Sequence, residues 1–251
     1  LTAFTLFYRR LSRSDPDDGD GVSVITRYTL RLLTTQQFER AARLLCACED
    51  LRCRGEDILG EKLELGSKEF SIGLWVGAGA SPNRFKDISI RNADPIEGAV
   101  SIVYRINNGQ KVRGTADVRH IQKCPWCGTE ISNGKIDVLD ESGRKITTAK
   151  DVKKEKRYRL RIRCQGSLPA PLKGKCQFSG DEGLPVRVVD EEIYANPPSV
   201  VIGTVDKFVR LVWDGETRSL FGRLSSGRKL PPPDLIIQDE LHLISGPLGT
   251  M

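Results

Sequence analysis

Two groups of residues in this 251-residue sequence have types and spacings that could support chemistry. The short apolar run at 235–237 is followed, after Gln238, by an acidic pair and a histidine: Asp239, Glu240 and His242. A second group consists of the cysteines Cys124, Cys127, Cys164 and Cys176. Carboxylates at the end of a strand can hold Mg²⁺ against phosphates and orient an attacking water. Four thiolates can hold Zn²⁺ in a closed tetrahedral site.

The acidic pair is predicted at the carboxyl end of a parallel strand, where open α/β sheets bind their ligands. Phosphoryl transfer requires little more than positioning and charge neutralisation there. The alternative is that Asp239 and Glu240 only begin a helix, whose dipole favours acidic residues. The histidine two residues after the pair makes the pattern more specific than Asp-Glu alone.

Three segments together resemble a known family. Asp239-Glu240-Leu241-His242 resembles the DExH box of superfamily 2 helicases. Residues 28–37 (Tyr-Thr-Leu-Arg-Leu-Leu-Thr-Thr-Gln-Gln) are similar to motif Ia of that family, and 203–208 (Gly-Thr-Val-Asp-Lys-Phe) to a later strand-contacting motif. The phrases at 27–34 and 72–77, Cys-Pro-Trp-Cys-Gly and Asp-Glu-Leu-His also resemble the large helicase subunit of DISARM-type phage-defence systems.

This resemblance implies an ATP-dependent helicase or translocase in anti-phage defence, with DNA favoured over RNA as its nucleic acid. It assigns Asp239 to Mg²⁺, Glu240 to the catalytic water, and His242 to coupling between nucleotide and nucleic acid. It also implies nucleic-acid contacts on the two other motifs, at Thr34, Gln37, Thr204 and Lys207.

The sequence is expected to be a fragment of such a motor. It begins at Leu1 rather than Met, and it contains no Gly-x-x-x-x-Gly-Lys-[Ser/Thr] phosphate loop, which the family's order places before Leu1. It stops nine residues after His242, before a second RecA-like domain. We therefore expect little ATP binding or hydrolysis by this polypeptide alone. Its expected partners are DNA, that second domain of the same chain and other defence-system subunits.

The cysteines are predicted to form a structural zinc site. Cys124-Pro-Trp-Cys127-Gly128 is typical of a tight turn with two sulfurs facing one ion, and Cys164 and Cys176 can supply the second pair. The alternative is a redox Cys-x-x-Cys beside two unrelated thiols. His120 is a less favoured substitute ligand.

Arginines alternate with apolar residues just before Cys164. On a strand, this alternation places the arginines on one face, suited to a phosphate backbone. The alternative is the solvated side of a two-faced strand. The four residues are Arg157, Arg159, Arg161 and Arg163.

The surrounding pattern predicts the elements that position these groups. We predict a helix over 1–13 with one apolar stripe formed by Leu1, Phe4, Phe7, Tyr8 and Leu11. A strand over 22–33, a helix capped by Thr34 or Thr35, and a strand over 70–76 follow. Further strands are predicted at 99–106, 199–202 and 235–237, with a helix from 205 to 212. The predicted fold is α/β: a RecA-like parallel sheet with flanking helices, interrupted by a small β-rich, zinc-ribbon-like insert. The predicted domains are 1–90, 91–192 and 193–251.

Composition fits a globular protein. Hydrophobic residues make up 39% and charged residues 29%, and the net charge of +6 is compatible with a polyanionic partner. With no long apolar run and no secretion signal, we expect no membrane partner and a reducing, cytoplasmic location. Two other functions fit parts of the sequence: a non-enzymatic zinc-ribbon module that binds nucleic acid, and a hydrolase using Asp239, Glu240 and His242 around metal ions directly. Too few histidines and acids lie nearby for the hydrolase.

Overall fold

The computed structural model describes residues 1–29, 31–57, 59–92, 94–153, 156–168, 174–209, 211 and 213–239, without the side chains of 31–33. It divides into two compact units, one formed by residues 1–77 with 196–251 and the other by 78–195. The three-domain division predicted from the sequence stays a prediction. The helices are α1 (Thr2–Leu11), α2 (Arg31–Arg54), α3 (Ala99–Asn107), α4 (Asp190–Ala195) and α5 (Val205–Val209). The strands are β1 (Val24–Tyr28), β2 (Ile72–Trp75), β3 (Ile136–Asp140), β4 (Tyr158–Ile162), β5 (Val186–Arg187), β6 (Val200–Thr204) and β7 (Leu235–Gln238).

A parallel sheet forms the centre of the first unit. The strands that this unit contributes lie in the order β2-β6-β1-β7, and Val24 of β1 is level with Val200 of β6 and Leu235 of β7. Every residue of β2 and β6 is buried, which is typical of parallel strands covered on both faces. Helix α2 packs on this sheet, with Phe38 and Leu45 fully buried. The predicted α/β class with flanking helices is confirmed.

Strand β7 is less covered than the other strands of this unit. Leu235 and Ile237 are half-buried, and Ile236 is 59% exposed. The amides of Asp234 and Leu235 donate to the carbonyl of Ser23, and the amide of Asp239 donates to the carbonyl of Arg27 at 3.0 Å. The strand is therefore fixed along β1 by backbone hydrogen bonds from its first residue to the residue after its last.

Helix α1 forms where it was predicted, but its orientation was predicted wrongly. Phe4, Tyr8 and Leu11 of the expected apolar stripe are more than half exposed. The opposite face, with Arg9 and Arg10, is buried instead. Arg9 is satisfied there by acceptors from distant segments, so a cationic residue takes the place that an apolar one was expected to hold.

Arg9 connects α1 to the segment that precedes β7. Its guanidinium nitrogens donate to five backbone carbonyls and to the Asp234 carboxylate at 2.7 Å. The carbonyls belong to Gly19, Asp20, Val22, Pro231 and Pro232. Buried guanidinium groups require such a full set of acceptors. The start of β7 is thus held by a residue more than 220 positions earlier in the chain.

Two further boundaries differ from the prediction. The first strand ends at Tyr28 and α2 already begins at Arg31, so Thr34 lies inside the helix rather than at its cap. Residues 99–106, predicted as a strand, are part of helix α3. Val100, Val103 and Ile106 are all buried at helical spacing, which explains why this segment folds as a helix.

The described part of the second unit contains an antiparallel strand pair. β3 and β4 are paired with Asp137 opposite Arg161 and Val138 opposite Leu160. Val138, Leu160 and Ile162 are buried, so the apolar side of the predicted alternating strand faces the interior of this unit. No helix in the described part of the chain has the length and apolar character that crossing a membrane demands.

Candidate functional site

Asp239 lies at the carboxyl edge of the parallel sheet. It follows the last residue of β7, while Tyr28 and Thr204, which end β1 and β6, are level with each other beside it. Burial, and after it the charge of Asp239, raises the pKa of Tyr28. A carboxylate thus stands at the edge where open α/β sheets bind ligands. The described residues do not include Glu240 or His242. They also do not include Val212, where the predicted helix over 205–212 ends.

The side chains of the two motifs that were predicted to contact nucleic acid are mostly buried. Thr34 is fully buried, Thr204 is buried with its hydroxyl 3.3 Å from the Asp206 carboxylate, and Lys207 is only 2% exposed. Gln37 is half-buried. In the described conformation, three of these four side chains belong to the interior of the first unit, and their contact with nucleic acid stays a prediction.

The aromatic residue that ends the motif at 203–208 has contacts that the sequence did not predict. Phe208 of α5 packs edge-on against Trp75 with ring centroids 5.1 Å apart, and the Arg27 guanidinium lies 5.5 Å from the Phe208 ring. A Cβ at Gly203 would come within 3.1 Å of both the Phe208 ring and the Trp75 carbonyl oxygen. Gly203 therefore allows β6 and α5 to meet closely, and the glycine in that motif was the available signal.

The four predicted cysteines converge in the second unit. Their sulfurs all lie within 4.8 Å of one another, although Cys124 and Cys176 are 52 residues apart. The Cys124–Cys176 sulfur distance is 3.8 Å and the Cys127–Cys164 distance is 3.4 Å. Four sulfurs at the usual Zn–S distance in a tetrahedron lie about 3.8 Å apart. The cluster therefore fits one Zn²⁺ ion, and both distances exceed an S–S bond of about 2 Å.

Two backbone turns present these sulfurs. In the first, the amide of Gly128 donates to the carbonyl of Cys124, and Gly128 adopts a φ of +79° that favours glycine. In the second, the Gly166 amide donates to the Cys164 sulfur at 3.2 Å. A Cβ at Gly166 would collide with the Thr129 side chain and reach the Cys127 sulfur. The second turn was not visible as a motif, because Cys164 and Cys176 have no Cys-x-x-Cys spacing.

The thiols occupy contrasting environments. Burial raises the pKa of Cys124 to about 12 and raises that of Cys176 as well. Burial acts in the same direction on Cys127, but hydrogen bonds with Thr129, Cys164 and Cys124 together outweigh it and lower the pKa of Cys127 to about 7. Buried thiolates need a compensating cation, and a bound metal supplies one while displacing the protons. His120, the alternative ligand, is not among the clustered groups found in the described part of the chain.

The arginine face of β4 is rich in ion pairs. Arg161 and Arg163 both contact the Asp137 carboxylate, at 3.0 and 3.2 Å, and Arg159 contacts that of Glu182 at 2.7 Å. Arg157 is exposed just before the strand. The alternation predicted from the sequence is present in β4, but carboxylates from other segments accompany its cations.

The fold and the site define a class: a parallel α/β domain with an acidic residue at its carboxyl edge, interrupted by a unit with four clustered cysteines. No family model matches the chain. The chain is 35% identical, over 282 residues, to the DISARM protein DrmA of Bacillus paralicheniformis. The match covers the whole chain and 22% of that relative. The chain is thus related to a DISARM protein and spans about a fifth of its length.

Proposed function

We propose that this chain is part of an ATP-dependent DNA helicase or translocase that acts in anti-phage defence. One observation carries the proposal: Asp239 stands at the carboxyl edge of a parallel sheet in a chain related throughout its length to a DISARM protein. The resemblance of residues 239–242 to a DExH box indicates that ATP hydrolysis with Mg²⁺ is the chemistry suited to that edge. The second RecA-like domain and other defence-system subunits are the proposed protein partners.

Asp239 would hold Mg²⁺, which neutralises phosphate charge when a nucleotide is bound. Its place after β7 is fixed by the hydrogen bond from its own amide to Arg27. Glu240 would orient the attacking water, and His242 would couple the nucleotide to the nucleic acid.

The motor proposal is tested by ATP hydrolysis of the full-length protein with single-stranded and duplex DNA. Because positioning of the attacking water contributes about 10²–10⁴-fold, Glu240→Gln should reduce turnover to that extent. Asp239→Asn should raise the Mg²⁺ concentration needed for activity. Glu216→Gln, at an exposed acidic residue, is the matched control and should have no effect. Turnover unchanged in Glu240→Gln, or absent in the unmodified protein, would reject the motor in favour of a non-enzymatic zinc module.

We also propose that Cys124, Cys127, Cys164 and Cys176 hold a structural Zn²⁺ ion. The sulfur distances and the two turns support it. Metal analysis should find one zinc per chain, and Cys176→Ser should lower that content. Cys53→Ser, at an exposed cysteine outside the cluster, is the control. Zinc near zero in freshly purified protein would reject the site.

A further inference from the structure

The antiparallel pair of the second unit gathers cationic side chains around one buried acid. Asp137 is 6% exposed, and Lys145 lies 2.8 Å from its carboxylate, closer than Arg161 or Arg163. Arg159 is two residues before Arg161 on β4. We call Lys145, Arg159, Arg161 and Arg163 the β4 basic face. Lys145 was not singled out from the sequence and joins the face through its contact with Asp137.

The other carboxylates at the β4 basic face are weakly held. The side chains of Asp181 and Glu182 are 95% and 84% exposed. Ion pairs between exposed groups contribute little, because water and salt screen them. An incoming anion can therefore replace the Glu182 carboxylate at Arg159, whereas Asp137 and the backbone carbonyl of Asp181 continue to hold Arg161.

The arginines also retain unused hydrogen-bonding capacity. In the described structure, the Nε atoms of Arg161 and Arg163 are buried and have no hydrogen-bond partner. Buried donors without acceptors are unfavourable, and guanidinium groups match phosphate oxygens particularly well. Both arginines contact the buried Asp137 carboxylate, and among the described residues neither Nε donor has an acceptor.

The spacing of the face suits a repeating anion. Residues four apart on an extended strand, such as Arg159 and Arg163, are about 13 Å apart, which is close to four 3.4 Å steps of a DNA strand along its axis. Small anions have no such repeat. An acidic peptide could present one, but its carboxylates would offer no more than Asp181 and Glu182 already do.

We propose that the β4 basic face binds the phosphate backbone of DNA, independently of sequence. The inference rests on the proposed motor function only for the choice of DNA as the polyanion. Arg159 and Arg163 contact phosphates directly in this proposal. Arg161 and Lys145 remain paired with Asp137 and keep the surface positively charged.

The test is fluorescence anisotropy of full-length protein with a labelled 30-nucleotide single strand, titrated at several KCl concentrations. Neutralising one arginine that binds a phosphate lowers the salt slope by about 0.7 for a single strand, so Arg159→Gln/Arg163→Gln should lower it by about 1.4. Arg159→Lys/Arg163→Lys keeps the charges and should keep the slope. Arg119→Gln, at an arginine of the same unit paired with Asp117, is the matched control and should leave the slope unchanged.

A second variant gives the opposite sign. Glu182→Gln removes the carboxylate that competes for Arg159, so it should tighten DNA binding. If the arginines only stabilise the insert, Glu182→Gln will leave affinity unchanged or weaken it, and the double glutamine variant will keep the wild-type slope; either result overturns the proposal. Tighter binding of the same sequence as RNA would overturn the choice of DNA. Circular dichroism and zinc content establish that each variant is folded.

The binding test and the motor test can fail separately. A reduced slope in the double glutamine variant with no ATP turnover in the wild type keeps the β4 basic face and rejects the motor. ATP turnover that depends on Glu240, with an unchanged slope in the double variant, keeps the motor and rejects the face.

Discussion

Replacing Arg9 should loosen the strand that leads to Asp239. The Arg9 side chain is 1% exposed and makes six hydrogen bonds, three of them to the segment directly before β7. Arg9→Met keeps the length of the aliphatic part but removes every donor. The Asp234 carboxylate, which is 44% exposed, can turn to solvent, whereas the buried carbonyls of Gly19 and Val22 cannot do so as easily.

The expected loss of unfolding free energy depends on how exposed each acceptor of Arg9 is. Breaking a buried ion pair by removing one partner costs about 3–5 kcal/mol, and the exposure of Asp234 reduces that figure. Each buried carbonyl left without a donor adds about 1–3 kcal/mol. We expect Arg9→Met to lower the free energy of unfolding by about 3 kcal/mol. Arg40→Met, on the exposed side of α2, is the control and should change it by about 0.5 kcal/mol or less.

Urea unfolding and hydrogen exchange together test this prediction. The amides of Leu235 and Asp239, which donate to Ser23 and Arg27, report how firmly β7 is held to β1. A loss of about 3 kcal/mol corresponds to roughly 100-fold faster exchange of amides whose exchange follows the equilibrium between the closed and open states. Arg9 does not hold β7 in place if Arg9→Met costs less than about 1 kcal/mol, or if the β7 amides exchange no faster than in Arg40→Met.

Three further predictions concern the second unit. Chelation of zinc should remove hydrogen-exchange protection from residues 78–195 while the sheet of the first unit stays protected. Equal protection of residues 78–195 before and after chelation would contradict a structural role of the metal. Gly166→Ala should lower zinc affinity at least about tenfold, because the added Cβ meets Thr129 and Cys127. Gly134→Ala, where an added Cβ meets nothing within 4 Å, is the control and should leave zinc affinity unchanged. A competition titration with a zinc chelator compares the two variants. Burial would raise the pKa of Asp137, but hydrogen bonds from Lys145 and Arg161 outweigh it and hold the pKa below 3.8. The stability from Asp137 is therefore fully present above pH 3.8 and is lost as pH falls through the lower folded value. Urea unfolding at about pH 2.5–6 should show a larger loss of stability in the wild type than in Asp137→Asn, because other carboxylates titrate in both proteins.

The elements predicted best are those set by local pattern. The predicted strands at 70–76, 199–202 and 235–237 are short apolar runs bounded by glycine, proline or polar residues, and each overlaps a strand of the sheet to within a few residues. The four cysteines were grouped from the chemistry of sulfur ligands and the shortage of histidine. Their convergence across 52 residues is what the structure adds.

The remaining features depend on partners distant in sequence. No local pattern shows that Arg9 will be buried, because its acceptors lie 10 to 225 residues away. The stripe on α1 was therefore assigned to the wrong face. The same limit applies to β4, where the alternation identified the strand but could not show that Asp137, 24 residues earlier, lies beneath Arg161. Segment 99–106 was predicted wrongly for another reason: β-branched residues favour strands, yet their spacing here suits a helix.

The connection between β2 and β6 limits how far this protein can be shortened. The two strands are parallel neighbours, with Ile72 level with Val200, so the chain leaves one at the end of the sheet opposite to where it enters the other. All of residues 78–195 lie within this single crossover. A tight hairpin turn cannot replace them, because parallel strands need a return path of about a dozen residues. A shortened version of the first unit must therefore receive a helical or extended linker of that length, and a two-residue splice would force β6 out of register.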